Sequence, residues 1–354
     1  MTVNDTSGAG GLGRRRVVVG VAAALALVGG GALYATKGGW LDDRSLTSVC
    51  GGLLDTSELK ELLGADRLRG EGTEPTSCTV ADADNDRSVL QARIFRGDTR
   101  MLLGTMSRAD QQNGGALVTP AGMGRPVVLG PRLGTASGFV PCGTGDDSPV
   151  TLLISVVPTS KGESLGESEG RARLARVATS TLDRAAERWG CERPGEAKGK
   201  STAVPEDTSR VLRQAGKATG TCAGIDSASY ETSADDAAPI EDCQLTDSSG
   251  ARLFRLSAYY GPYVKAARQE TIRGKQILTE VGGGGGLWWT TADCPQGDVL
   301  YSVETVWDDE KNTFNPPSPK FQKDALKTFA ERSAERHGCS TPEPLPTKDR
   351  TSGS

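Results

Sequence analysis

RAAERWGC, residues 184–191, and RSAERHGC, residues 332–339, put nearly the same text into one chain twice, differing only at Ala185 against Ser333 and Trp189 against His337. Each copy closes a stretch whose apolar residues recur at helical spacing. In the first these are Leu174, Val177, Ala178, Leu182, Ala185 and Trp189; in the second Phe321, Ala325 and Phe329, followed by Ser333 and His337. Gly190 and Gly338 stand where a left-handed helix C-cap belongs, and Cys191 and Cys339 follow at once. The repeated text predicts a helix end tied down by a cysteine, in two places.

Working outward, the eight cysteines fall into two ordered sets, Cys50, Cys78, Cys142 and Cys191, then Cys222, Cys243, Cys294 and Cys339, with the second set closer spaced throughout. The text around matched cysteines also matches. CTVADADNDRSVLQARIFRG from Cys78 answers CQLTDSSGARLFRLSAYYG from Cys243, each a cysteine, a turn and a strand. VTLLISVV from Val150 and VLYSVETV from Val299 are β-branched and apolar enough for buried strands. The expected fold is α+β: two tandem copies of an antiparallel sheet packed by helices, each with two disulfides. A repeat of roughly 150 residues is a whole domain, far longer than a solenoid unit.

The first copy spans 46–194 and the second 218–341, joined by a linker, 195–217, rich in Gly, Pro and Ser; 342–354 reads as a disordered tail. The first copy opens with DTSELKELLGADRL, which puts Leu59, Leu62 and Leu63 on one helical face, with Asp55 or Ser57 to cap it and Gly64 to stop it. The matching DSASYETSADDAAP is poorer in apolar residues, so a short or frayed opening helix is expected there.

Before the first copy, residues 1–16 end in Arg14, Arg15 and Arg16, and an uncharged run follows from Val17 to Thr36. At about 1.5 Å per residue the run reaches about 30 Å, one hydrocarbon thickness. Arginines before it and Asp42 and Asp43 after it predict a single-pass transmembrane anchor with its N-terminus inside and the domains extracytoplasmic at the cell membrane. The competing reading is a cleaved signal peptide, since the densest apolar part ends at the Gly29–Gly31 break.

Outside a membrane, an even set of cysteines without any C-x-x-C pair reads as disulfides. Equal order in the two sets implies equal pairing: Cys50–Cys78 with Cys222–Cys243, and Cys142–Cys191 with Cys294–Cys339. The third cysteine precedes a strand and the fourth ends the covering helix, so this bond would join helix end to strand start.

CGGLLDTSELKELLG from Cys50, followed by CTV at Cys78, resembles the opening of small extracytoplasmic lipoprotein and sensor-like domains of actinobacteria. The resemblance covers about thirty residues of the first copy and implies an antiparallel sheet packed by helices, outside the cell, without a known activity. The chain departs from that pattern in lacking a lipid-anchor cysteine and in being doubled.

Several stretches imitate catalytic motifs. GESLG, 162–166, has the spacing of a nucleophile elbow around Ser164, but Pro158 and polar residues separate it from the preceding strand, and the one histidine, His337, ends a helix in the other copy. GEAKGKST, 195–202, is one residue short of a phosphate-binding loop and has no strand feeding it. DADND, 82–86, lacks the glycine and the glutamate of a calcium loop and reads as a hairpin turn. No cofactor or metal is expected, and a formal charge of −4 without a basic stripe argues against nucleic acid.

Trp288 and Trp289 follow five glycines from Gly282, and neighbours on a strand face opposite ways, so both pack in the core if helices cover both faces, and otherwise one is exposed and the pair is the candidate contact surface. Partners would be the membrane through the N-terminal helix and a cell-envelope protein, glycan or peptide. The expected function is non-enzymatic binding, sensing or scaffolding at the cell surface. The alternative is an exported hydrolase working through carboxylates such as Asp308, Asp309 and Glu310.

Overall fold

The cysteine-flanked stretches form antiparallel strands, and the stretches with helical spacing form helices across them. The computed structural model describes residues 46, 51–74, 77–84, 89–96, 103, 117–130, 134–142, 149–157, 168–191, 204–269, 279–308 and 310–347. The run 17–36, Cys50, residues 162–166, residues 195–202 and everything from 348 lie outside them. Among the described residues, no helix is long and apolar enough to cross a membrane.

The first half begins with α1 (Thr56–Leu63), capped by Asp55 Oδ1, which accepts from Ser57 N and Glu58 N at 3.1 and 3.3 Å, and closed by Gly64 at φ 63°. Its strands are β1 (Leu68–Glu74), β2 (Ser77–Asp82), β3 (Val89–Arg96), β4 (Thr119–Pro120), β5 (Val127–Leu129), β6 (Thr135–Val140) and β7 (Val150–Val157), and α2 (Ser168–Trp189) follows. The second half has β8 (Ala228–Glu231), β9 (Ile240–Thr246), β10 (Arg252–Tyr260), α3 (Pro262–Gln269), β11 (Gly282–Gly284), β12 (Leu287–Cys294) and β13 (Gly297–Thr305), a small hairpin of β14 (Trp307–Asp308) and β15 (Thr313–Phe314), and then α4 (Pro319–His337).

The sheets run β1-β2-β3-β7-β6-β5-β4 and β8-β9-β10-β13-β12-β11, the same order with one extra edge strand in the first. Register agrees too. Across the first sheet Cys78, Ala92, Ile154, Ala136 and Leu129 stand in one row. Across the second, Cys243, Leu256, Val303, Trp288 and Gly283 do. A shift of one residue would turn every side chain to the other face, so both sheets present the same face to their helices.

Each sheet carries a core under its long helix: Leu90, Leu152 and Ile154 under Leu174 and Leu182 of α2, and Leu256, Tyr301 and Val303 under Leu326 and Phe329 of α4. Gly138 lets α2 close down, since a Cβ there would stand 2.7 Å from Leu182 Cδ1. The opposite faces of the sheets meet in a third core, where Val128 and Phe139 of the first half touch Tyr259, Tyr263, Trp289 and Leu300 of the second.

Three expected disulfides are present, Cys142–Cys191, Cys222–Cys243 and Cys294–Cys339. Cys78 is disulfide-bonded as well, and its expected partner Cys50 lies outside the described residues. Three local expectations need correction. No opening helix precedes β8 among the described residues; the polar text there makes turns and then the strand itself, because it lacks an apolar face at helical spacing. Residues 204–217 of the expected linker are packed, with Asp207 Oδ2 2.5 Å from Arg171 Nη1 of α2 and Arg213 bridged to Ser229. Residues 342–347 of the expected disordered tail lie against β12 and α4, because the preceding disulfide sets them beside an open strand edge.

Candidate functional site: the groove under the C-terminal strap

Trp288 and Trp289 do face opposite ways, and both faces are covered. Trp288 is 0% exposed in the core under α4 and Trp289 2% exposed in the core between the sheets. This bears out packing under cover on both faces and corrects the contact-surface alternative, for neither indole reaches solvent. The register explains the glycines before them. Gly283 pairs with Trp288 and Gly282 with Trp289, and a Cβ on either would stand 2.2 Å from its indole, at Cε3 and Cζ2. In the first sheet the same places hold Leu129 beside Ala136 and Val128 beside Ser137. Bulk has moved from one strand to its neighbour, and the glycine run is the space that two tryptophans need.

Beyond Trp289 the edge of β12 has no partner from β11, which begins at Gly282 opposite Trp289. The C-terminal segment takes this edge. Gly338, at φ 68°, reverses the chain at the end of α4, and the bond from Cys339 to Cys294 delivers Ser340 beside Asp293. Ser340 N donates to Asp293 O at 2.7 Å and Glu343 N to Thr291 O at 2.9 Å. Asp293 N donates to Ser340 Oγ at 3.0 Å, and Thr290 Oγ1 to Glu343 O at 2.6 Å. Further along, Lys323 Nζ of α4 reaches Pro346 O and Thr347 O, both at 3.4 Å, while lying 4.6 Å from the centre of the Trp288 ring. Between this strap and α4 remains a groove of about 510 Å3, bordered by Thr290, Lys323 and Lys327 on one side and Pro342, Pro344 and Leu345 on the other.

The two letters by which the repeated motif differs belong to a second cluster. Glu241 on β9 is 1% exposed and accepts from Arg336 Nε at 3.1 Å, Arg336 Nη2 at 2.8 Å and Ser333 Oγ at 2.6 Å, with His337 Nε2 at 3.4 Å. The ring of Tyr260 stacks on His337 with centroids 3.9 Å apart. Burial alone would push the Glu241 carboxyl up; the hydrogen bond from His337 and the charge and hydrogen bonds of Arg336 outweigh it and hold the group down at about 2. Every acceptor position of the carboxylate is engaged, so the cluster pins β9 to α4. His337 therefore has a buried carboxylate as a partner.

On the other face of β9, Asp242 is 0% exposed and takes Arg255 Nη2 at 2.6 Å, Ser257 Oγ at 2.8 Å and, from the first half, Val118 N at 3.3 Å. The hydroxyls of Ser137 and Tyr263 bond across the same divide. Sequence reading missed both clusters because their members meet from positions as far apart as 126 residues, and nothing local marks them.

Other expected sites stay local. Asp82 Oδ1 accepts from Asp84 N at 3.0 Å at the start of the β2–β3 turn, and Asp84 pairs with Arg67 at 3.0 Å. Asp308 accepts from Glu310 N and Lys311 N at 3.1 Å, a turn cap, and Asp309 lies outside the described residues. Among the described residues no group of three or more His, Cys, Asp or Glu side chains is placed to hold a metal ion.

No family model, curated protein or solved structure matches this chain.

Proposed function

We propose that the protein is held at the outer face of a membrane by Val17–Thr36, is built from two copies of one disulfide-closed α+β unit, and acts by binding, sensing or scaffolding. The observation that carries the location is the oxidised state of its cysteines: no described cysteine is free, and such a set persists where thiols are not kept reduced. The shared strand order and register support duplication of the unit. An unfilled groove of about 510 Å3, the size of a small-ligand or peptide cleft, supports a binding role.

Fractionation tests the location. The chain is expected to sediment with membranes, to resist alkaline carbonate and to lose both domains to protease added to intact spheroplasts. A carbonate-extractable chain, or one whose N-terminus begins near residue 33 or 36, would end the anchor reading. Cross-linking in intact cells is expected to give one discrete adduct with an envelope component; a chain that stays uncoupled would count against binding.

A further inference from the structure

We infer that Ser340–Thr347 is an internal stand-in for a peptide, and that the edge of β12 together with the groove beside α4 receives an extended, proline-spaced segment of a partner protein. This deepens the binding role proposed above and rests on it.

Two of the edge bonds, from Ser340 N and Glu343 N, are of the kind by which an extended peptide joins a sheet. Thr291 O and Asp293 O accept the main-chain N–H groups of Glu343 and Ser340, while Asp293 N donates to the side-chain Oγ of Ser340 and the Thr290 side-chain Oγ1 to Glu343 O. Glu343 turns its N–H toward β12, and the ring nitrogens of Pro342 and Pro344 on either side of it need no donor partner. The seat thus tolerates proline on both sides of Glu343 and asks for an N–H at that one position. The side chain that enters is apolar: Leu345 packs on the core under α4.

The strap fits this site loosely at its far end. Its last described contacts are the two 3.4 Å bonds from Lys323, and the groove beside Pro344 and Leu345 stays open. A longer side chain at the leucine position would fill space the strap leaves empty. The strap keeps its place because Cys339 is bonded to Cys294, which makes its effective concentration high. A partner segment must compete with that tether.

The test compares the full chain, a chain ending at Cys339, and full-length Glu343→Pro, which lacks the main-chain donor to Thr291 O between Pro342 and Pro344. The probe is a labelled peptide of residues 340–349, with the same peptide N-methylated at the Glu343 amide as control, read by fluorescence anisotropy. Both variants are expected to bind the probe at least about 10-fold more tightly than the full chain, and none to bind the N-methylated control. Equal weak binding by all three proteins would overturn the proposal. So would a shortened chain that dimerises on sedimentation without binding probe, which would make the strap an edge guard only. Either failure leaves the envelope cross-linking result standing, so the two readings fall separately.

Discussion

Glu241 shows how one residue can carry a share of the stability. Its carboxyl is ordinarily near 4.5 and lies at about 2 in the folded chain. A depressed acid stabilises fully above its unfolded value and loses that contribution as pH falls through the folded value, so the window runs from about pH 4.5 down to about pH 2. A gap of this size corresponds to about 3 kcal/mol. Thermal melts from pH 2 to 7 should show the wild type losing stability across that window, and Glu241→Gln should start lower and flatten there; parallel curves for the two proteins would refute the assignment. At Trp288 the expectation concerns pairing of volumes. Gly283→Ala alone should cost roughly 1–3 kcal/mol by overpacking against the indole, and Trp288→Ala roughly 3–5 kcal/mol. Because the Cβ and the indole compete for one space, the double variant should cost less than the sum in denaturant titrations. Strict additivity would mean that the glycine answers to its backbone and not to the tryptophan.

At the scale of elements, each long helix ends in a glycine cap and a disulfide, and the two closures can be compared because they span similar lengths of chain, 49 and 45 residues. The chain-entropy account gives about 4 kcal/mol for either. Replacing Cys142 and Cys191 by Ala should lower the unfolding free energy by about that amount. The same change at Cys294 and Cys339 should cost more, since it also releases the strap from the edge of β12. Urea titrations of the two double variants decide it: a smaller loss at Cys294 and Cys339 would show that the strap holds without its tether. The helices differ in what they grip. Arg184 of α2 reaches Asp55 Oδ2 at 3.0 Å and the carbonyl of Leu54, tying the first half's opening turn, whereas Arg336, at the place of Arg188, grips a strand through Glu241.

Over the whole molecule, the two sheets share the core that holds Phe139, Tyr263 and Trp289. A Cβ on Gly261 would stand 2.8 Å from Phe139 Cζ, which shows how closely one half presses on the other. The buried carboxylate of Asp242 accepts from both halves. These contacts predict one cooperative calorimetric transition for the two sheets. Phe139→Ala should lower that transition by roughly 3–5 kcal/mol of stability without splitting it. Two separate transitions in the wild type would show that each half stands on its own and that the shared core is secondary.

The sequence by itself determined the strands around the cysteines, the helices ending at Gly190 and Gly338, and the pairing of Cys142 with Cys191, Cys222 with Cys243 and Cys294 with Cys339. All of these rest on spacing within a single element or on a match between two stretches of text, and both can be read along a line. Only the tertiary structure decided the fate of Trp288 and Trp289, the use of Ser333 and His337 on Glu241, and the seating of Ser340–Thr347 on β12. Each depends on what covers a face or an edge, and the covering group comes from a distant stretch of chain. Polar composition marked the C-terminal segment as tail, yet a row of unpaired backbone groups beside a disulfide was enough to hold it.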